Sequence, residues 1–356
     1  MGEKNVDTDD VWCDESRSIW LNCCVDDSAR LPTAIESASR TNITAIAFTA
    51  DGHIFAGDKW GEIRRWRIED AQQTGRTMKA NGTVESAVVS NDGKWLVTGD
   101  DGRRGIVWDT RTHEKVQEVT EHTHFVYAVD ISSDSMRFAS GSCDKTARIF
   151  SVAYGVRVIP PLQHDRAVVG LRFSPSGDRL VTASYDECVR IYNSHTGDSL
   201  LEIPVRVMHT PTTPFAWSSE LFVVSPGKIT CLDTFSGSST DWWIQSDSTR
   251  ASIVTDGRFI ACAAGSSVSL WDAVSHEKIG QVIENGPDVF CIAISPHKEF
   301  LACGHRNRIS FYTFKKILPD HHVRTRSFNS SLYLIILFLD LLFFLTSPLL
   351  AASHAI

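Results

Sequence analysis

Two sets of residues in the middle of the chain carry the groups needed for nucleophilic chemistry. His122, Ser140 and Asp144 supply an imidazole, a hydroxyl and a carboxylate, and His164, Thr182 and Asp186 repeat that order 42 residues later. Such an arrangement can make a hydroxyl nucleophilic, with the imidazole as base and the carboxylate orienting it. The repetition argues for a different use. A catalytic site is needed once, whereas a device that pins a repeated unit recurs with the unit. The expectation is that these residues tie a turn to its strands and satisfy polar groups buried between units. No GxSxG, GxxxxGK[ST] or HExxH segment occurs, so a nucleophile elbow, a phosphate-cradling loop and a zinc-protease helix have no sequence basis. The chain is therefore read as a non-enzyme without catalytic, cofactor or metal residues.

Other reactive side chains fit quieter roles. The nine cysteines are scattered and form no CxxC pair, which gives no support to a zinc ribbon or a redox motif. His305 and the pair His321-His322 stand at no metal-ligand spacing. Arg64-Arg65-Trp66-Arg67 places alternate arginines on one side of a strand, as a solvated edge does, with an acidic-partner or phosphate site as the lesser reading. Trp242 and Trp243 are neighbours on an expected outer strand, so one ring should face solvent. Across 356 residues, 35 basic against 43 acidic side chains give a net charge of −8, the opposite of a nucleic-acid binder's footprint.

The elements that must hold these residues recur. A strand followed by a tight turn appears with its first turn residue at Asp51, Asp92, Asp134, Ser176, Ser218, Asp256 and His297, in steps of 41, 42, 42, 42, 38 and 41. A bulky residue closes a later strand of each copy at Trp66, Trp108, Phe150, Tyr192, Leu232, Trp271 and Tyr312. Two columns agreeing over seven copies establish a repeat. Within each copy apolar residues alternate with polar or amphipathic ones, as Val189 and Ile191 do with Arg190 and Tyr192, which is a strand pattern. Units of about 40 residues with four short strands are what the blades of an all-β propeller require. Seven blades of four antiparallel strands are expected. The seventh copy shows no outer strand after Tyr312, and residues 31–36 are placed to supply it, which would remove the exposed edges. A further strand around Trp20 is then surplus: it packs outside, or the ring has eight blades, or the chain is a piece of a longer protein.

At Trp108-Asp109 and Trp271-Asp272, with Leu232-Asp233 as a worn copy, the chain resembles the WD40-repeat family over roughly residues 11–318. The resemblance implies a hydrogen-bonded tetrad of His, Ser/Thr, Asp and Trp in each blade. The third copy offers His122, Ser140 and Asp144, with Phe150 in the Trp place. The fourth offers His164, Thr182 and Asp186, with Tyr192 there. The second keeps Thr98 and Trp108 but has Ala80 for His, and Asp101 lies one place early. It also implies a loop rim that binds other proteins or peptides, carried onto Phe125, Tyr127, Cys143 and Tyr185, and at further matching positions Lys59, Glu85, Arg103, Phe290 and His305. A scaffold or adaptor follows. The alternatives are a substrate receptor of a cullin-type ubiquitin ligase, whose box is partly matched at Trp108-Asp109-Thr110-Arg111, and an enzyme built on a propeller.

The ends differ from the repeats. Residues 1–30 carry eight acids and three bases, so residues 1–10 read as an acidic arm and no apolar signal segment opens the chain. A cytoplasmic location follows, with the nucleus open. Beyond a linker at 319–330, residues 331–352 are apolar from Leu332 onward apart from Asp340 and a Thr-Ser-Pro break. This stretch is long enough for a membrane anchor, and it also fits translated non-coding sequence or a segment packed on the propeller.

Overall fold

The computed structural model of the protein describes residues 34–36, 41–205, 214–225, 227–244, 251–286 and 288–318. The acidic arm, the strand around Trp20, the linker and the apolar segment 331–352 lie outside these residues. Among the described residues no helix is long and apolar enough to cross a membrane.

The structure is a seven-bladed, all-β propeller, each blade a four-stranded antiparallel sheet. Blade 7 is the exception to chain order. It consists of β1 (Ala34–Glu36) and then β26 (Cys291–Ile294), β27 (Phe300–Gly304) and β28 (Arg308–Thr313), with β1 outermost. The other blades run consecutively. Blade 1 is β2 (Ile43–Phe48), β3 (His53–Asp58), β4 (Glu62–Arg67) and β5 (Gln73–Lys79). Blade 2 is β6 (Val84–Val89), β7 (Trp95–Asp100), β8 (Gly105–Asp109) and β9 (Lys115–Val119). Blade 3 is β10 (Val126–Ile131), β11 (Arg137–Ser142), β12 (Thr146–Ser151) and β13 (Leu162–Gln163). Blade 4 is β14 (Val168–Phe173), β15 (Arg179–Ser184), β16 (Cys188–Asn193) and β17 (Ser199–Pro204). Blade 5 is β18 (Phe215–Trp217), β19 (Leu221–Ser225), β20 (Lys228–Leu232) and β21 (Ser239–Trp243). Blade 6 is β22 (Ala251–Thr255), β23 (Phe259–Ala264), β24 (Ser267–Asp272) and β25 (Lys278–Glu284).

The expected closing strand is present. Ala34, Ile35 and Glu36 pair with Ser310, Ile309 and Arg308 of β28, and Ile35 is buried between blades 7 and 1. After β28 a one-turn helix, α1 (Phe314–Ile317), buries Phe314 beside Phe259 of blade 6.

The cores lie between neighbouring sheets, and the middle strands pack tightly because small residues recur. Gly57, Gly99 and Gly141, 42 residues apart, face Val84, Val126 and Val168 of the next blade. A methyl group added at any of the three would lie within 2.8 Å of that valine. The period also fixes the turns. Arg103, Lys145 and Glu187 hold the same left-handed place on three successive turns, with φ of 70, 70 and 62°.

The arginine and tryptophan pairs resolve as follows. Arg64 pairs with Glu62 and Asp58, Arg65 with Asp51, and Arg67 with Asp70, so this edge is neutralised by its own acids. Trp243 is exposed, while Trp242 tucks between blades 5 and 6.

Candidate interaction face

In an antiparallel blade the loops joining first to second and third to fourth strands fall on one face. Those joining second to third strands, and one blade to the next, fall on the other. The latter face holds both the pinning residues and the expected rim.

In blade 3 the pin is complete. His122 Nδ1 lies 2.8 Å from Asp144 Oδ2 and its Nε2 lies 2.7 Å from Ser140 Oγ. Asp144 also accepts bonds from the Thr123 and Thr146 amides and the Thr146 hydroxyl. Burial alone would raise the Asp144 carboxyl, but the bonds from His122 and Thr146 outweigh it and hold the group well below the usual carboxylate range. The geometry matches a hydrolytic triad, yet Ser140 is wholly buried in β11. No substrate carbonyl can reach its Oγ, and the residues act as a cross-strand clamp.

Blade 4 departs from the expectation of an identical set. His164 Nε2 meets Thr182 Oγ1 at 2.9 Å, but its Nδ1 faces the Leu162 carbonyl at 3.1 Å. Asp186 is taken by Arg190, at 2.7 Å. The cause is two aligned substitutions. In blade 3 Arg148 is drawn chiefly to Glu121, at 2.8 Å against 3.8 Å to Asp144, and Thr146 bridges aspartate and imidazole. Blade 4 has the neutral Gln163 and Cys188 at those places, so its arginine turns to the aspartate and to Glu202.

Blade 2 keeps only the outer link, with Trp108 Nε1 donating to Thr98 Oγ1 at 2.9 Å. Its turn is held by Asp100 rather than Asp101: Asp100 accepts from the Asn81 and Arg104 amides. Asp58 does the same in blade 1, accepting from Trp60 and Glu62. Serines occupy this place in blades 3 and 4, where Ser142 and Ser184 donate to the His124 and Arg166 carbonyls. Asp58, Asp100, Ser142 and Ser184 form a 42-residue column that is visible in the sequence. The Asp of the Trp-Asp dipeptide serves the opposite face. Asp109 and Asp272 each accept two amides of the following turn, and where the ligase box would have an upstream aspartate this chain has Gly102, with Asp101 one residue off.

Around the channel mouth each of the first four inner strands carries a bulge. The register shifts between Ile43 and Ala45, Val84 and Ser86, Val126 and Ala128, and Val168 and Gly170. The extra residues are Thr44, Glu85, Tyr127 and Val169, and a bulge is a common means of pointing a side chain at a site, although Val169 stays in the core between blades 4 and 5. Thr44, Glu85, Tyr127 and Phe290 line the channel, whose volume is ≈ 70 Å³.

Tyr127, Cys143 and Tyr185 pack together on the core between blades 4 and 5. Burial, then Cys143 beside it, pushes the Tyr127 phenol up to about 12. Burial and the Tyr127, Cys143 and Glu85 charges do the same for Tyr185. Phe125 stands over Tyr127 edge-on at 6.3 Å and is 39% exposed. Glu85, Phe125, Tyr127, Cys143 and Tyr185 thus form one patch. Lys59 and Arg103 are exposed on turns of blades 1 and 2. His305 is a correction: it is completely buried, its carbonyl accepting from Ile43 across the blade 7–blade 1 junction. The rim position is filled there by a packing residue. Trp60 was missed. It stands where Asp144 and Asp186 stand in later blades, and a side chain with no carboxylate to offer the turn is left 65% exposed.

Residues 72–109, 113–151 and 157–193 match the family described as WD domain, G-beta repeat. The chain is 30% identical over 165 residues to WD repeat-containing protein 1 of Rattus norvegicus, covering 42% of this chain and 25% of that protein. It is 25% identical over 134 residues to eukaryotic translation initiation factor 3 subunit I of Bombyx mori, covering 38% and 37%. It is 30% identical over 112 residues to the guanine nucleotide-binding protein subunit beta of Zea mays, covering 30% of each. The chain therefore spans well under half the length of these relatives.

Proposed function

We propose, from the premise that this chain is a WD40-repeat β-propeller, that it is a non-catalytic scaffold binding protein partners on the rim around Phe125, Tyr127 and Tyr185. The observation that carries this reading is the bulge in each of the first four inner strands, which turns Glu85 and Tyr127 toward the mouth of the channel. Aromatic rings on a rigid frame, flanked by charge from Glu85, Lys59 and Arg103, have the composition of an interface hot spot. Relatives named as subunits, of an initiation factor and of a guanine nucleotide-binding protein, support a role in assemblies. The test is affinity capture with Tyr127→Ala combined with Tyr185→Ala, folding being checked by circular dichroism. Truncating two hot-spot rings should weaken binding by about 2 kcal/mol or more, enough to empty the capture. Undiminished prey on the folded double variant moves the site off this rim. Ligase subunits among the prey of the unaltered chain would favour the receptor reading.

A further inference from the structure

On the face opposite that rim, at the junction of blades 5 and 6, Glu220, Cys231 and His276 converge. One ligand atom from each lies within 4.8 Å of the other two. Cys231 is buried on β20, His276 is half-buried on the turn after β24, and Glu220 reaches in from the exposed turn before β19. His276 Nε2 is buried without a hydrogen-bond partner. Its ring is held flat against Trp242, with centroids 4.2 Å apart.

The molecule contains its own comparison. At the junction of blades 1 and 2, His113 takes the same left-handed turn position, φ 59° against 60° for His276. It packs edge-on to Phe55 as His276 does to Phe222. Its Nε2 also lacks a partner, while its Nδ1 meets the Arg76 carbonyl at 2.8 Å. The turn therefore needs only a histidine. What faces it differs: the register partner of Phe55 is Arg65, and that of Phe222 is Cys231. A guanidinium repels a cation, whereas a thiol with a carboxylate beside it attracts one.

We propose that Glu220, Cys231 and His276 form a zinc site joining blade 5 to blade 6, its fourth position open to solvent. Thiolate, imidazole and carboxylate are the zinc donor set. Bonds of about 2.0–2.3 Å place tetrahedral ligand atoms roughly 3.3–3.8 Å apart, so the three atoms, already within 4.8 Å of one another, draw closer as the metal binds. As the Zn–S bond forms, the Cys231 S–H bond breaks and its proton leaves to solvent, with no change of oxidation state.

The test is titration of the full chain with Co²⁺ and then Zn²⁺. Co²⁺ should give a thiolate charge-transfer band with tetrahedral ligand-field bands, and Zn²⁺ should bleach both. Cys231→Ser should abolish the charge-transfer band, while Cys188→Ser, at a half-exposed thiol on blade 4, should leave it. Glu220→Gln, an exposed change that spares the core, should weaken Zn²⁺ roughly tenfold or more and decides the matter if Cys231→Ser does not fold. Absence of the bands, or bands and affinity unchanged in both site variants, overturns the proposal.

Discussion

His122 and His164 hold the same place in adjacent blades and face different chemistry. Burial, and next the Arg190 charge, push His164 down to about 4. An unfolded imidazole titrates near 6.5, so between these values the folded chain binds fewer protons than the unfolded one. The stabilisation is complete above about pH 6.5 and is lost as the pH falls toward 4, by up to about 1.4 kcal/mol per pH unit. The melting temperature should drop from pH 7 to pH 5, and His164→Gln should flatten that drop; an equally steep profile in the variant would assign the loss to another group. The aspartates should also part. Asp144→Ala strips His122 of a 2.8 Å partner inside the blade and should cost about 1–3 kcal/mol. Asp186→Ala leaves Arg190 on Glu202 and His164 on Thr182 and should cost less. Equal losses in denaturant melts would contradict the altered wiring of blade 4. The sequence displays the His–Ser/Thr–Asp order but not the wiring, because the partner of Asp186 is decided by Gln163 and Cys188, which lie outside the motif.

Strands were the most legible level. Both repeat columns fall where the period places them, and even the closing strand, Ala34–Glu36 within the expected 31–36, could be anticipated, since the seventh copy stops short. Less legible were the bulges. They arise from backbone pairing, and Glu85, Tyr127 and Val169 share no residue type that would announce one. The burial of His305 escaped for a similar reason, being set by contact with blade 1, more than 250 residues away in sequence. The closing strand offers the test at this scale. Ile35 is 2% exposed in a strand of three residues, and Ile35→Ala should cost about 2–5 kcal/mol. A urea midpoint equal to that of the unaltered chain would mean that β1 contributes nothing to closing the ring.

For the whole molecule, the two faces are given to different tasks by topology alone. One gathers the blade-to-blade loops, with their clamps and exposed rings. The other gathers tight turns capped by Asp109, Asn193, Asp233 and Asp272. The last blade carries a further consequence, in time. β1 is made before any other described strand, yet its partner β28 begins at Arg308, about 270 residues later. At roughly 5–20 residues per second, synthesis alone separates the two by about 14–55 s. For that interval the nascent chain holds a strand whose mate does not exist, while blades 1 to 6 emerge and pair in order. Closure waits on β28, and a chain that stops short of it is an open arc with both ends able to pair with another chain.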